Sequence, residues 1–451
     1  MQNWSKQRKA RVVTLICADY FMFTFITTIP AITSVTTALQ TKYGASYAQV
    51  GEYGVAMPAL SLAISPLFWT PLAKTFGRRP MMILGVSIAF FASMGCAVTD
   101  TYAGYMVSRF LQGWGVGPAS TVGLQVLEEL YAEQERGEKI GYWTLSIDIG
   151  LLFGPLIGGV VALVSAEFVF WFSAIIFGIL FIGMLLFFDE TAYPLPQPSQ
   201  QPSSCAVVED VLPWLNLYRT NVHGLVRTPI WETLFDVIRI SLYPNVAIPI
   251  ILFCWTWYLW IMCVIVMLPI AYPNWSPVEQ GLSLIGMIIG TVLAETTFSG
   301  AFSDRFTGRL SDGNYHNREP EMRLWLFIPA ALTTALGLLL FGLSQQFAWH
   351  WSVTQVATAI FAFGVQVGNT TTTIYVVECY PAELMSIVAF YSLHLNLSAF
   401  ASPFWISPMT NTLGWGWSFG SQAIVVVVFA TAFVPALILW GKRMRVWRGP
   451  L

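Results

Sequence analysis

Charge is what this sequence has least of. Lysine, arginine, aspartate and glutamate make up 10% of its 451 residues, where a soluble domain carries about 25%. So thin a supply cannot give a solvated surface all round, which excludes a large water-soluble protein. No Gly-x-x-x-x-Gly-Lys-Ser/Thr phosphate loop is present, which argues against ATP-driven transport. There is no His-Glu-x-x-His string, no cysteine–histidine metal cluster and no nucleophile elbow, so neither a metal site nor an enzyme is expected. The six cysteines lack disulfide or metal spacing, and Cys17, Cys96, Cys254 and Cys263 lie inside apolar runs as small core residues. No cofactor and no nucleic-acid partner is expected.

What is there is apolar: 56% of the residues are hydrophobic and the mean hydropathy is +0.63. One helical crossing of a bilayer takes about 20 apolar residues. Twelve stretches qualify, at roughly 12–37, 51–72, 81–99, 103–127, 140–164, 168–188, 243–271, 280–301, 323–344, 350–377, 384–408 and 418–440. The polar start Met1–Arg11 precedes a run too long for a signal peptide and without a small-residue cleavage site, so a retained span is expected. The predicted fold class is an all-α integral membrane protein with twelve transmembrane helices in two six-helix bundles, residues 1–188 and 241–451.

Between the bundles lies the one long polar interruption, 189–240. Its first part, Pro194–Ser204, is rich in Pro, Gln and Ser and reads as a flexible linker. Its last part, Trp231–Arg239, is amphipathic and is expected on a membrane surface. With the N-terminus placed in the cytosol, all of the 22 basic residues except Lys42 and Arg109 fall in cytosolic segments. This positive-inside pattern puts both termini and the linker in the cytosol. A sequon, Asn274-Trp275-Ser276, falls in an external loop, weakened by the following Pro277.

The two halves repeat a loop. After the second span the chain reads Thr70-Pro-Leu-Ala-Lys74-Thr-Phe-Gly77-Arg78-Arg79-Pro80; after the eighth, Ser299-Gly-Ala-Phe-Ser-Asp304-Arg305-Phe-Thr-Gly308-Arg309. Repeated halves mark secondary transporters, with substrate held between them near mid-membrane. Arg109-Phe-Leu-Gln112-Gly113-Trp-Gly115, Gly150-Leu-Leu-Phe-Gly154-Pro155-Leu-Ile-Gly158-Gly159, Asp189-Glu190-Thr191 and Arg318–Leu324 complete the set. Over nearly its whole length the chain resembles the major facilitator superfamily, in particular the fungal branch related to twelve-span drug:proton antiporters. The resemblance implies alternating access, with spans one, four and five lining a central cavity and the span-five glycines favouring antiport. The chain departs from it at Thr70 and Lys74, where the family has Gly and Asp. The family's acid latches the halves together; here Lys74 is either a plain solvated charge or a partner of Glu383.

Ionisable groups inside a membrane are costly and are functional candidates by default. Asp19 lies in span one, on the order of 10 Å inside at 1.5 Å per residue, and Asp148 at a like depth in span five. Arg109 lies in span four with Gln112 one turn on. Desolvation raises a carboxylate's pKa and a nearby arginine lowers it; an acid poised between the two can carry a proton. Asp19 reads as a substrate or proton group, or as a structural acid. Arg109 reads as a cavity cation, or as a permanent ion pair with Asp19 or Asp148. Glu295 in span eight is a cavity acid or belongs to a loop network with Arg305 and Arg309, and Glu378 is an interface charge. Gln366, Asn369, His394 and Asn396 are polar groups placed to touch substrate, His394 reading first as an interhelical hydrogen-bond partner. Gly154, Gly158 and Gly159 let another helix approach and Pro155 bends its own. Trp255, Trp257, Tyr258 and Trp260 in span seven are packing bulk, or rings lining a cavity for a flat or cationic molecule.

The expected protein is a monomeric, proton-coupled secondary transporter of amphipathic or cationic organic compounds, exporting by antiport, in a plasma or vacuolar membrane. An importer of polyamines or other nutrients, and a non-transporting sensor on the same scaffold, are the alternatives.

Overall fold

The computed structural model describes residues 4–131, 133–191, 230–312, 319–380 and 383–448. Arg318 and most of the linker lie outside the described residues. Among the described residues everything regular is helical. Nine described helical stretches are long and apolar enough to cross a membrane, and the last, Leu384–Val446, has 63 residues, enough for two crossings. Those two join at Gly414, whose φ of 76° breaks the helical path; this conformation suits glycine.

Spans one, two and three are Lys6–Thr28, Ala48–Phe76 and Arg78–Val98. Span four is two helices end to end, Tyr102–Gly115 and Pro118–Leu130, and spans five and six are Glu133–Val161 and Phe168–Phe187. After the linker helix Ile230–Ile240, span seven is Pro244–Ala271. Span eight joins Pro277–Leu282 to Ile285–Thr297 and is followed by the helix Gly300–Asp312. Span nine is Phe327–Gln346, and span ten is Trp351–Cys379. Span eleven begins at Leu384 and span twelve ends at Arg448.

Two expected spans differ in detail. The first stops at Thr28 rather than continuing to residue 37, because Pro30 has no N–H to carry the ladder on. The chain restarts as a separate helix, Thr33–Tyr43. The fourth is interrupted at Val116–Gly117, ahead of Pro118 at the first position of its second helix. At the sequon, Asn274 is exposed, while the Ser276 hydroxyl is engaged in a capping box with Glu279.

The bundles meet along two seams. Span two packs on span eleven, and span five packs on span eight, on the helix Gly300–Asp312 and on span ten. A buried polar belt crosses these seams.

Candidate functional site

Span five is fastened to span one before it reaches the other bundle. Thr24 Oγ1 donates to the Ile147 carbonyl at 2.5 Å and Thr28 Oγ1 to the Leu151 carbonyl at 2.6 Å. The second bond has a specific cause: the natural helical donor to Leu151 O would be residue 155, a proline. Gly150, Gly154 and Gly158 lie along the same face. A Cβ on them would stand 2.1 Å from Phe21 O, 2.2 Å from Thr28 Oγ1 and 2.2 Å from Ile29 O. Gly159 faces elsewhere, with its Cβ position 2.3 Å from Pro277 O in the second bundle.

This fastening fixes Asp148, which is 3% exposed. Its Oδ2 accepts from Asn369 Nδ2 of span ten at 2.6 Å. Asn369 Oδ1 in turn accepts from the Tyr391 hydroxyl of span eleven. The next residue, Thr370, donates to Glu295 Oε2 of span eight at 2.7 Å, and Gln366 Nε2 donates to the same oxygen at 2.9 Å. Thr370 Oγ1 also lies 3.0 Å from Thr144 Oγ1 of span five. Two carboxylates, one per bundle, are thus held by adjacent residues of one helix and interact electrostatically. Glu295 therefore belongs to this buried cluster and not to a network with Arg305 and Arg309, which are both exposed.

Aromatic rings wall the cluster. Tyr20 stacks on Trp143 at 4.1 Å in the first bundle, and Phe253 stacks on Tyr391 at 6.5 Å in the second. A π-helical turn, Cys254–Tyr258, turns Trp257 and Tyr258 inward, each at most 1% exposed. The Trp257 ring lies over Gly368, one residue before Asn369. The indole N–H groups of Trp143 and Trp257 and Asp148 Oδ1 have no hydrogen-bond partner among the described residues. Trp260 is also buried, against Trp405 at 5.0 Å. Trp255 donates to His394 Nδ1 at 3.2 Å, which makes His394 an interhelical partner. Asn396 bonds back to Ser392 of its own helix at 2.9 Å.

Asp19 is 1% exposed, and its Oδ1 has no hydrogen-bond partner among the described residues. Arg109 is not its counter-ion, nor that of Asp148. Its guanidinium donates to Gly54 O at 2.9 Å, Ile26 O at 2.6 Å, Thr27 O at 3.0 Å and Gln112 Oε1 at 2.7 Å. Gln112 passes the chain on to Ser93 at 2.8 Å. The carbonyls of Ile26 and Gly54 each sit four residues before a proline, Pro30 and Pro58, and so lack a helical donor. Arg109 fills both vacancies, so backbone dipoles hold it where an ion pair was the alternative.

The repeated loops are built on arginines. Arg78 forks onto Glu129 at 2.5 and 2.7 Å. Glu190 accepts the backbone N–H groups of Arg78 and Arg79 at 3.2 and 3.1 Å, capping span three. Gly77, at φ 98°, leaves room for that carboxylate. In the second half, Arg323 holds Glu378 at 2.7 and 2.8 Å and Asp304 at 2.6 Å. Lys74 forms no ion pair within 4.0 Å of Glu383 among the described residues, yet their charges interact. At the opposite face, Ser407 donates to Glu52 at 3.1 Å and Tyr53 packs on Phe404 at 5.3 Å. The bundles therefore touch at both faces and in the middle, an occluded arrangement.

Sequence reasoning did not single out Thr144, Thr370, Tyr391 or Glu129, and met Arg323 only as part of the Arg318–Leu324 string. Hydroxyls in spans are too common to signal a site, and the loop charges looked like ordinary basic-side residues.

A family model described as Major Facilitator Superfamily matches residues 13–403. An uncharacterized transporter of Schizosaccharomyces pombe is 26% identical over 396 residues, covering 86% of this chain and 79% of that one. A probable efflux pump of Aspergillus flavus is 25% identical over 397 residues, covering 86% and 92%. Among solved structures, the human organic anion transporter MFSD10 matches with a TM-score of 0.62 at 16% identity, covering 94% and 99%. The proton:xylose symporter XylE of E. coli matches with a TM-score of 0.66 at 14% identity, covering 95% of each chain. At such identities the likeness is one of fold. With the family model spanning most of its length, the chain belongs to the Major Facilitator Superfamily: a multi-pass membrane transporter of small molecules, working by alternating access, and not an enzyme.

Proposed function

We propose that this protein exports amphipathic or cationic organic compounds in exchange for protons. The observation that carries the reading is the pair Asp148 and Glu295, one carboxylate on each bundle, both buried and both held by span ten. Moving the bundles apart breaks the Asp148–Asn369 bond and exposes both acids to whichever face opens. Protonation and cation binding then compete for the same oxygens, which is what exchange requires. Asp19 supplies a third carboxylate in the first bundle, and the rings of Tyr20, Trp143, Trp257 and Tyr391 suit a flat or charged organic molecule. The relative named a probable efflux pump supports the outward direction. The basic loops support cytosolic termini, and a plasma membrane location follows from an export role. The protein works as a monomer, driven by the proton gradient alone.

The test is flux in proteoliposomes with an imposed pH difference, using tetraphenylphosphonium and spermidine as cation probes beside neutral and anionic metabolites. Gradient-dependent movement of a cation against the proton is expected. Flux of neutral or anionic metabolites with no cation movement overturns the substrate class. Cation movement in the same direction as the proton favours the importer, and no flux of any compound favours a sensor.

A further inference from the structure

The linker helix Ile230–Ile240 takes no part in the transport reading, yet it is built with two apolar faces. Inward, Val237 and Ile240 are buried, and the helix packs on span two and on the long helix Leu384–Arg448, beside Glu383 at the start of span eleven. Tyr243, just beyond it, meets Tyr380 edge-on at 5.4 Å. Outward, Trp231, Phe235, Ile238 and Leu242 are 69%, 69%, 62% and 56% exposed. Steps of four, three and four residues put them on one side of the helix. Span seven starts at Pro244, so this helix lies where the chain enters the bilayer. That position identifies what covers the outer face: the boundary between headgroups and acyl chains, which takes helices lying flat with large apolar residues inward.

The inner face bridges a seam that must open. Spans two and eleven belong to opposite bundles. At their ends on the basic side, the charge of Glu383, ahead of span eleven, interacts with Lys74 of span two and with Asp236 and Arg239 of the helix. We propose that the helix is a lipid-docked strap: the bilayer surface holds its outer face while its inner face lies across the span-two and span-eleven seam. The membrane thereby stabilises closure on the basic side, and opening requires the strap to lift from one bundle.

The experiment uses the full chain in phosphatidylcholine vesicles. A nitroxide on Phe235→Cys should collide readily with oxygen and rarely with a water-soluble nickel chelate. The reverse pattern overturns lipid docking and points to a protein partner or to solvent. Labels on Phe76→Cys and Trp325→Cys, exposed on the basic side of opposite bundles, report the gate by their separation. Combining Trp231→Ser, Phe235→Ser and Ile238→Ser should raise the longer-distance population several-fold. An unchanged distribution in folded protein overturns the strap. Should that triple change not fold, Val237→Asn, which loosens only the inner face, is expected to give the same shift, and its absence is equally decisive. Neither readout involves substrate flux, so failure here leaves the transport reading standing.

Discussion

Asp148 of span five and Asn369 of span ten meet at 2.6 Å across the boundary between the two bundles. The amide satisfies one carboxylate oxygen and leaves Oδ1 without a partner among the described residues. Asp148→Asn keeps an acceptor for Asn369 and removes the charge. The variant should fold and insert normally but lose gradient-driven cation flux by at least about tenfold, the effect of some 1.4 kcal/mol on the transport barrier. Flux at the unaltered rate would take Asp148 out of the coupling step.

Asp19 differs from Asp148 in lacking that partner. A buried carboxyl with no hydrogen-bond donor among the described residues calls for a partner such as water, an ion or substrate. Asp19→Asn should therefore abolish coupled transport while leaving the melting temperature of the purified protein unchanged or raised. A drop in melting temperature with flux retained would make Asp19 a structural acid.

Arg109 invites the opposite expectation. Its bonds go to carbonyls that Pro30 and Pro58 leave without helical donors. Arg109→Met strands those acceptors, and each unsatisfied buried group costs about 1–3 kcal/mol. Thermal stability in detergent should fall markedly. Adding Pro30→Ala and Pro58→Ala returns N–H donors to the two helices and should recover part of the loss. No recovery would show that Arg109 acts through its charge rather than as a cap.

Gly159 tests the occluded contact at the face away from the basic loops. Its Cβ position is 2.3 Å from Pro277 O, a backbone atom of the other bundle that cannot swing aside. Gly159→Ala should hold that face apart, leaving the contacts within the first bundle intact. Cysteine labelling of Tyr53→Cys from that face should accelerate, with little change in stability. Equal labelling rates would mean the contact is not part of the closed gate.

The sequence carried the fold because the bilayer imposes length and hydropathy on each crossing, and because basic residues gather on one side. It carried the carboxylates as well, since an acid such as Asp148 stands out in an apolar run. It was silent on what those acids bond to. Thr370 and Tyr391 look like any span hydroxyl until the helices are packed. Arg109 was legible as a buried cation, but its partners were sought among acids, when the answer lay in two prolines four residues beyond their carbonyls. The end of span one was misjudged and the break within span four missed for the same reason: hydropathy continues through Pro30 and Gly117, while the hydrogen-bond ladder does not.

Glu383 gives the basic-side gate a pH dependence whose sign can be worked out. Burial pushes its carboxyl above the usual range, Asp236 adds to the push, and Lys74 and Arg239 oppose it. Once the seam opens, water restores the ordinary value of about 4.3. The closed form therefore binds the proton more tightly, so its advantage is full below that ordinary value and is lost as pH rises through the raised one. Acidifying the basic face across that window should shorten the distance between labels on Phe76→Cys and Trp325→Cys. Glu383→Gln, neutral at every pH, should hold the short distance throughout and remove the dependence. If acid instead lengthens the distance, the attraction of Lys74 and Arg239 outweighs burial, and Glu383 is a true ion-pair latch whose protonation releases the gate.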